Sequence, residues 1–379
     1  MSRPAGVELI TQPDDRPPSG SSDAGLVEAV EAELSDYLTE RAEAAAAIDP
    51  VFAEAGAELT AFVLLGGKRL RPTFAWWGWR GAGGAPGGPQ AAAVVRAISA
   101  LELVQACALI HDDLMDDSAT RRGRPTVHVG FARRHVEAGW RGSPTRFGSA
   151  AAILLGDLAL VWADDLLRRA GLPEDAMARA AVPWQTMRTE LLGGQFLDVL
   201  HQASGDPSAQ AALRIDRFKT AAYTVERPLH LGAAIAGAGP ELVAAYRRFG
   251  ADLGIAFQLR DDLLGVFGDP AVTGKPAGDD LREGKRTLLL AIAMERADEL
   301  ARPAARAQID AAVGDADLDT DGVERIRGLL VDLGAVDAIE DRITTLTASA
   351  LDALHTAPVA EPAATRLADL ADAATSRQR

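Results

Sequence analysis

The sequence is poor in several things that would direct a reading elsewhere. It has one cysteine, Cys107, in 379 residues, which excludes an internal disulfide and a thiolate metal centre and suits a reducing cytoplasm. Basic residues number 39 against 54 acidic ones, a net charge of −15. The overall field therefore offers no general attraction to nucleic acid or anionic lipid, and any anion site has to be local. The N-terminus lacks the apolar stretch of a signal peptide, and no segment is expected to approach the length that spans a bilayer, so stable membrane insertion is not expected. The six histidines, at 111, 128, 135, 201, 230 and 355, show no pairing of the HExxH kind, so no zinc is expected. His111 is expected to serve helix-end packing or a hydrogen bond. Strand-like alternation is scarce as well.

Helical periodicity is abundant. With 48% hydrophobic and 25% charged residues, the chain has the profile of a packed globular protein. From Leu26 onward apolar residues recur at helical spacing in stretches rich in Ala, Leu, Glu and Arg. Gly/Pro breakers, such as 81–89 and 205–207, separate about ten or more helices. The expected fold is all-α, one helical bundle over 25–356 around a central cavity. Residues 1–24 are expected to form a flexible arm, and 357–379 a tail that is helical or frayed.

Two of the predicted helices are apolar nearly all round and should lie in the centre. Ala97–Ile110 carries only Ser99, Glu102 and Gln105 as polar residues and ends in HDDLMDD. Leu253–Phe267 is interrupted by Gln258, Arg260, Asp261 and Asp262. One acidic helix end is common on a solvated surface, but carboxylates on both of the most buried helices are costly unless they meet a cation. Asp112 and Asp116, four apart, share one helix face while Asp113 points aside. Ligands that are all oxygen suit magnesium, which takes one or two carboxylates plus substrate phosphates, so a diphosphate substrate is expected.

Basic residues cluster near these acids. Arg121-Arg122-Gly-Arg-Pro-Thr126 offers planar guanidinium forks to phosphate oxygens. Gly66-Gly-Lys-Arg-Leu-Arg-Pro72 opens a helix with glycines that let an anion approach the backbone, without P-loop spacing. Only Lys68, Lys219, Lys275 and Lys285 are lysines, and three of them follow a glycine, as if compact charges were kept for an anion. Asp317, Asp319, Asp321 and Gly322 imitate an EF-hand, but Gly328 stands where its bidentate acid belongs, so 314–322 is read as an interhelical turn.

Taken together these motifs closely resemble the trans-prenyl diphosphate synthases, which include the farnesyl and geranylgeranyl diphosphate synthases. The resemblance spans Leu26 to Leu354: GGKRLRP at 66–72, DDLMD at 112–116, RRGRPT at 121–126, GGQFLD at 193–198, KT at 219–220, FQLRDD at 257–262 and GKPAGDDLREGKRT at 274–287. It implies a homodimeric transferase with the isoprenoid synthase fold that joins an allylic diphosphate to isopentenyl diphosphate. Asp112, Asp116 and Asp261 would bind three magnesium ions. Arg121, Lys219 and Lys275 would hold the allylic diphosphate, with Lys285 a further substrate contact, and Lys68, Arg71 and Arg122 would hold isopentenyl diphosphate. Thr220 and Gln258 would turn their oxygens toward the allylic cation.

Two positions depart from the pattern: Gln105 stands where many relatives have histidine, and Gly265 replaces the last aspartate of the second motif, with Asp269 one turn on. Farnesyl-forming members often carry a bulky aromatic four or five residues before the first aspartate. Here Cys107 and Ala108 are small, so the expected product is geranylgeranyl diphosphate, with Val104 and Leu101 the next floors along the stripe through Ala108. A class I terpene cyclase would leave Lys68, Arg71 and Arg122 unexplained, and an inactive helical regulatory subunit would not need the intact aspartates, lysines and arginines.

Overall fold

The computed structural model describes residues 23–268 and 278–376. The arm at 1–22, Asp269 and Lys275 lie outside them. Among the described residues the regular structure is helical except for one two-residue hairpin, Thr120–Arg121 paired antiparallel with Arg124–Pro125.

The chain runs through α1 (Asp23–Ala46), α2 (Pro50–Leu64), α3 (Leu70–Gly81), α4 (Pro89–Met115), α5 (Val127–Glu137), α6 (Pro144–Arg168), α7 (Glu174–Ser204) and α8 (Ala209–Ile215). A π-helix, Asp216–Glu226, leads into α9 (Arg227–Ala236) and α10 (Pro240–Phe267). Helices α2, α4, α6 and α10 open on proline, where the missing N–H has no helical partner to lose. Gly205 and Gly237 close α7 and α9 in the left-handed conformation, which costs glycine nothing.

Helix α4 is the axis of the bundle and packs along α6 and against α1 and α3. It corrects one expectation: with 27 residues it is long and apolar enough to cross a membrane. Its apolarity has another use here, since 78% of its most apolar window is buried inside the protein. A large core is built from α1 to α7, α9 and the first half of α10. A second core joins Leu259, Leu263 and Val266 of α10 to the helices Leu288–Glu299, Thr320–Asp332 and Ala335–His355. Helix α10 belongs to both, so its acidic segment is held from two sides.

The C-terminal stretch contains a helix, Ala363–Thr375, with Ala363, Leu367 and Ala371 fully buried. Arg260 fixes its end, donating from Nε to the Thr375 carbonyl (3.0 Å) while its other nitrogens clasp Glu340 at 2.8 and 2.7 Å. The EF-hand-like acids sit in a connection between helices, where Asp319 caps Thr320–Asp332 by accepting from the Gly322 N–H (2.7 Å).

Candidate active site

A cavity of about 840 Å³ opens between α3, α4, α7, the π-helix, α10 and the segment around 280–287. It gathers Lys68, Arg71, Gln105, Ala108, Asp112, Arg121, Arg122, Lys219, Thr220, Gln258, Asp261 and Lys285 from across the chain.

The acidic end of α4 forms one wall. Lys219 Nζ lies 2.8 Å from Asp112 Oδ1 and 2.6 Å from Asp198 Oδ2, and Gln195 Nε2 donates to Asp112 Oδ1 at 3.0 Å. One oxygen each from Asp112, Asp116 and Asp198 falls within 4.8 Å of the others. Burial works to raise Asp112, but Lys219, then Lys285 and Arg121, outweigh it and hold its carboxyl below the usual range. Asp116 is less well guarded: burial and the neighbouring Asp112 outweigh the same two lysines and push it up to about 6, and its buried Oδ1 has no hydrogen-bond partner. Burial disfavours the Lys219 charge, yet Asp112, Asp198 and Asp116 together raise its pKa. Three convergent carboxylates with one orphaned oxygen fit a hard divalent cation.

Lys219 reaches this wall because the π-helix is pressed between glycines. A Cβ on Gly194 of α7 would stand 2.6 Å from Lys219 Cα, and one on Gly254 of α10 would stand 2.6 Å from Ala221 Cα. Only bare backbone permits such an approach.

The cationic wall comes from the loop before α3 and from the hairpin. Gly66 and Gly67 have positive φ, and so does Arg69 at 47°, an unfavourable state for a side-chain-bearing residue. Arg69 is held there by Glu102 (2.7 Å) and the Val63 carbonyl (3.0 Å). Lys68 and Arg71, on either side of it, line the cavity. Arg71 donates to Thr224 Oγ1 (2.9 Å) and lies 4.1 Å over the Tyr223 ring. Arg122 donates to the Gly66 carbonyl (2.7 Å), tying hairpin to loop. Arg121 clasps buried Asp113 through Nε (2.8 and 2.9 Å) and Nη2 (2.7 Å), which gives the acid that points aside a partner of its own.

On the α10 wall Gln258 donates to Asp262 Oδ1 at 2.7 Å. Burial, then Asp216 and Asp280, raise the Asp262 pKa well above its ordinary value, and burial with Asp198 pushes Asp216 up to about 7. Gly265 makes room for Asp280: a Cβ there would stand 2.5 Å from the Asp280 Cγ. Lys285 answers this acidity, 2.7 Å from Glu283 and 3.4 Å from Asp280.

The stripe of α4 that faces the cavity is Glu102, Gln105, Ala108, Leu109 and Asp112. Ala108 belongs to it, but Val104 and Leu101, expected as successive floors, are fully buried and lie off the cavity wall. Cys107 is off the wall too, with its Sγ 3.7 Å from His111 Nδ1, and burial raises the thiol to about 12. His111 Nε2 sits 3.2 Å from the Ile153 carbonyl. Sequence reasoning assigned no role to Gln195, Asp198, Asp216 or Asp280. The first two lie in GGQFLD, one helical turn apart, and that spacing was the available signal.

A helical bundle whose central cavity opposes a carboxylate cluster to an arginine and lysine wall defines an enzyme of diphosphate chemistry that works with a divalent metal. More narrowly, the chain belongs to the polyprenyl synthetase family, whose model matches residues 55–330, and it is a prenyltransferase. It is 38% identical over 263 residues to a geranylgeranyl diphosphate synthase of Mycobacterium tuberculosis, covering 68% of each chain. It is 34% identical over 308 residues to a geranylfarnesyl diphosphate synthase of Aeropyrum pernix, covering 80% of this chain and 88% of that one. Among solved structures, a geranylgeranyl pyrophosphate synthase of Corynebacterium glutamicum, complexed with isoprenyl diphosphate and magnesium, superposes with a TM-score of 0.88 at 45% identity, over 93% of this chain and 99% of that one.

Proposed function

We propose that the protein makes geranylgeranyl diphosphate by adding isopentenyl diphosphate to an allylic diphosphate, with three magnesium ions held by Asp112, Asp116 and Asp261. What supports this reading is that one cavity brings together the Asp112 carboxylate and the Arg71 and Arg122 guanidinium groups, a lining that suits two diphosphates in separate seats. Bound magnesium would supply Lewis acidity where negative charge develops on the departing diphosphate. Arg121 and Lys219 would stabilise that charge from the cavity wall, Lys275 would join them as the resemblance implies, and Lys285 would add a further cation to the substrate. Thr220 and Gln258 turn oxygens toward the allylic carbon, and the apolar helix walls keep water away from it.

The two seats are separable by experiment. Arg71→Ala should weaken isopentenyl diphosphate by about tenfold or more with little effect on the allylic substrate, and Lys219→Ala should do the reverse. Paired substrate titrations read this out, and equal effects from both variants would contradict two seats.

Product length rests on Ala108, which like Leu191 lines the cavity. Wild-type enzyme should stop at geranylgeranyl diphosphate, and Ala108→Phe should shorten the product while turnover continues. Mass spectrometry of products decides, and a product distribution unchanged by the substitution defeats this reading. Leaving out isopentenyl diphosphate should abolish turnover, whereas a cyclase would continue.

Metal binding should also be pH-dependent. The pKa of Asp116 is raised from 3.8 to about 6, so the cost of ionising it within the fold builds up as pH rises between those two values and is fully present above them. A cation at the carboxylates removes that penalty. Magnesium should therefore raise the melting temperature more at about pH 7.5 than at about pH 5. An equal shift at both would argue against ligation by Asp116.

The working protein is read as a homodimer in the cytoplasm. Ile153, Leu154 and Val161 of α6 and Val182, Leu192 and Phe196 of α7 are exposed, an apolar surface suited to a second copy of this chain.

A further inference from the structure

A π-helix of 11 residues is much longer than the single-turn bulges in which that form usually occurs. Contacts beyond its own backbone have to hold it, and they converge on Glu226, its last residue, whose side chain is fully buried. Three guanidinium groups reach this carboxylate. Arg217, at the start of the same helix, contacts Oε2, Arg247 of α10 donates from Nε to Oε1 at 3.0 Å, and Nη2 of Arg227 lies 3.8 Å from Oε1. Arg227 in turn clasps Glu190 of α7 through Nε (2.7 Å) and Nη2 (2.5 Å). One carboxylate therefore joins both ends of the π-helix to the helices on either side of it. Burial works to raise the Glu226 pKa, but Arg217, Arg227 and Arg247 outweigh it and hold the carboxyl below its usual range. His230 adds no charge here: burial, then Arg227 and Arg247, push it down to about 4. Helix α10 closes the joint with bare backbone, since a Cβ on Gly250 would stand 2.4 Å from Glu226 Cα.

None of these groups lines the large cavity, but Lys219, Thr220, Tyr223 and Thr224, which lie between Arg217 and Glu226, all do. Lys219 pairs with Asp112 and Asp198, while Thr224 and Tyr223 hold Arg71. Both walls thus lean on the same short helix. We propose that Glu226 is a positioning residue for both diphosphate seats. It fixes the π-helix between α7 and α10, and so sets where Lys219 and Thr220 meet the allylic diphosphate and where Arg71 meets isopentenyl diphosphate. The inference rests on the two-seat reading for what is positioned, but the joint itself does not depend on turnover. Removing one partner of a buried ion pair leaves the other charge uncompensated, which is costly. Without the Glu226 charge, Arg217 and Arg247 face Arg227 with no carboxylate between them, and the end of the π-helix has to shift.

Glu226→Gln nearly keeps the shape and removes the charge. For wild type and variant, kcat and the KM of each substrate are measured well below the melting temperature, and hydrogen exchange of the backbone amides is followed in the full chain without substrates. Glu226→Gln should lower kcat by at least about tenfold and raise both KM values, whereas Arg71→Ala and Lys219→Ala are each expected to act on one seat. Exchange at residues 218–224 should quicken about tenfold or more while that of the buried residues 98–104 of α4 holds. Arg247→Gln, which alters a side chain that is 47% exposed, should give smaller changes in the same direction, and it keeps the test intact if Glu226→Gln folds poorly. Combining Glu226→Gln with Arg217→Gln should cost less than the product of the two single effects, because both break one contact. A lower melting temperature with kcat and both KM values unchanged would make Glu226 a stability residue only and overturn the proposal. So would a change confined to one substrate, or unaltered exchange at 218–224. If exchange quickens as expected but wild-type protein forms no elongated product with any allylic diphosphate, the joint stands and the elongation reading falls.

Discussion

Asp112→Ala and Asp261→Ala are each expected to lower turnover by about a hundredfold or more while the protein stays folded. Asp112 is half of a charge pair that orders the wall: its Oδ1 receives both Lys219 and Gln195. Removing it leaves Lys219 with Asp198 alone and takes from the cluster the carboxylate that is held ionised, while Asp116, with its raised pKa, is a poor substitute. Asp261 lines the opposite wall and is only partly buried, so its loss removes a ligand and not a packing group. Rates, circular dichroism and melting curves on purified variants check this. Wild-type rates in either variant, or full activity in excess chelator, would dismiss the metal-site assignment.

Gly194→Ala should be almost as damaging, and its neighbour supplies the control. The added methyl would stand 2.6 Å from both Lys219 Cα and Phe218 C, backbone atoms with no rotamer to yield. The π-helix has to move, and with it Lys219 and Thr220. A displacement of about 1 Å at a positioned group costs on the order of a hundredfold in rate, and the repacking should lower the melting temperature by several degrees, following about 1–3 kcal/mol of overpacking. Gly193 is also helical, but a Cβ there meets nothing within 4 Å. Gly193→Ala should keep full activity and gain about 0.5–1 kcal/mol of stability. If both variants behave alike, glycine contact is not what aims Lys219.

The all-helical class, the two buried acidic helices and the basic loops were legible because each rests on local spacing or on charge in an apolar run. The π-helix was not. Its residues, DRFKTAAYTVE, read as ordinary helix, and the glycines pressed against it at 194 and 254 lie on other helices. On α4, counting back from Asp112 gave Ala108 and Gln105, which line the cavity, together with Val104 and Leu101, which are buried off its wall; an apolar, nearly all-buried helix has no amphipathic contrast to tell the two stripes apart. Asp280 stayed hidden because its place depends on the absence of a side chain at Gly265. The apolar run of α4 showed its burial, but its full length was underestimated, since the helix continues from Pro89 to Met115.

The grip of Arg260 on Thr375 bears on how the chain can be handled. Arg260 is the residue before Asp261, and its guanidinium joins the carbonyl at the end of the last described helix to Glu340. The C-terminal end is therefore a poor attachment point: an affinity tag or fused domain placed there pulls on a residue bonded one position from the active-site wall. Immobilisation or fluorescent labelling of this enzyme is better directed to a surface away from that joint. Arg141, in the connection between α5 and α6, is such a place: it is exposed, and its carbonyl rather than its side chain meets His135 Nε2.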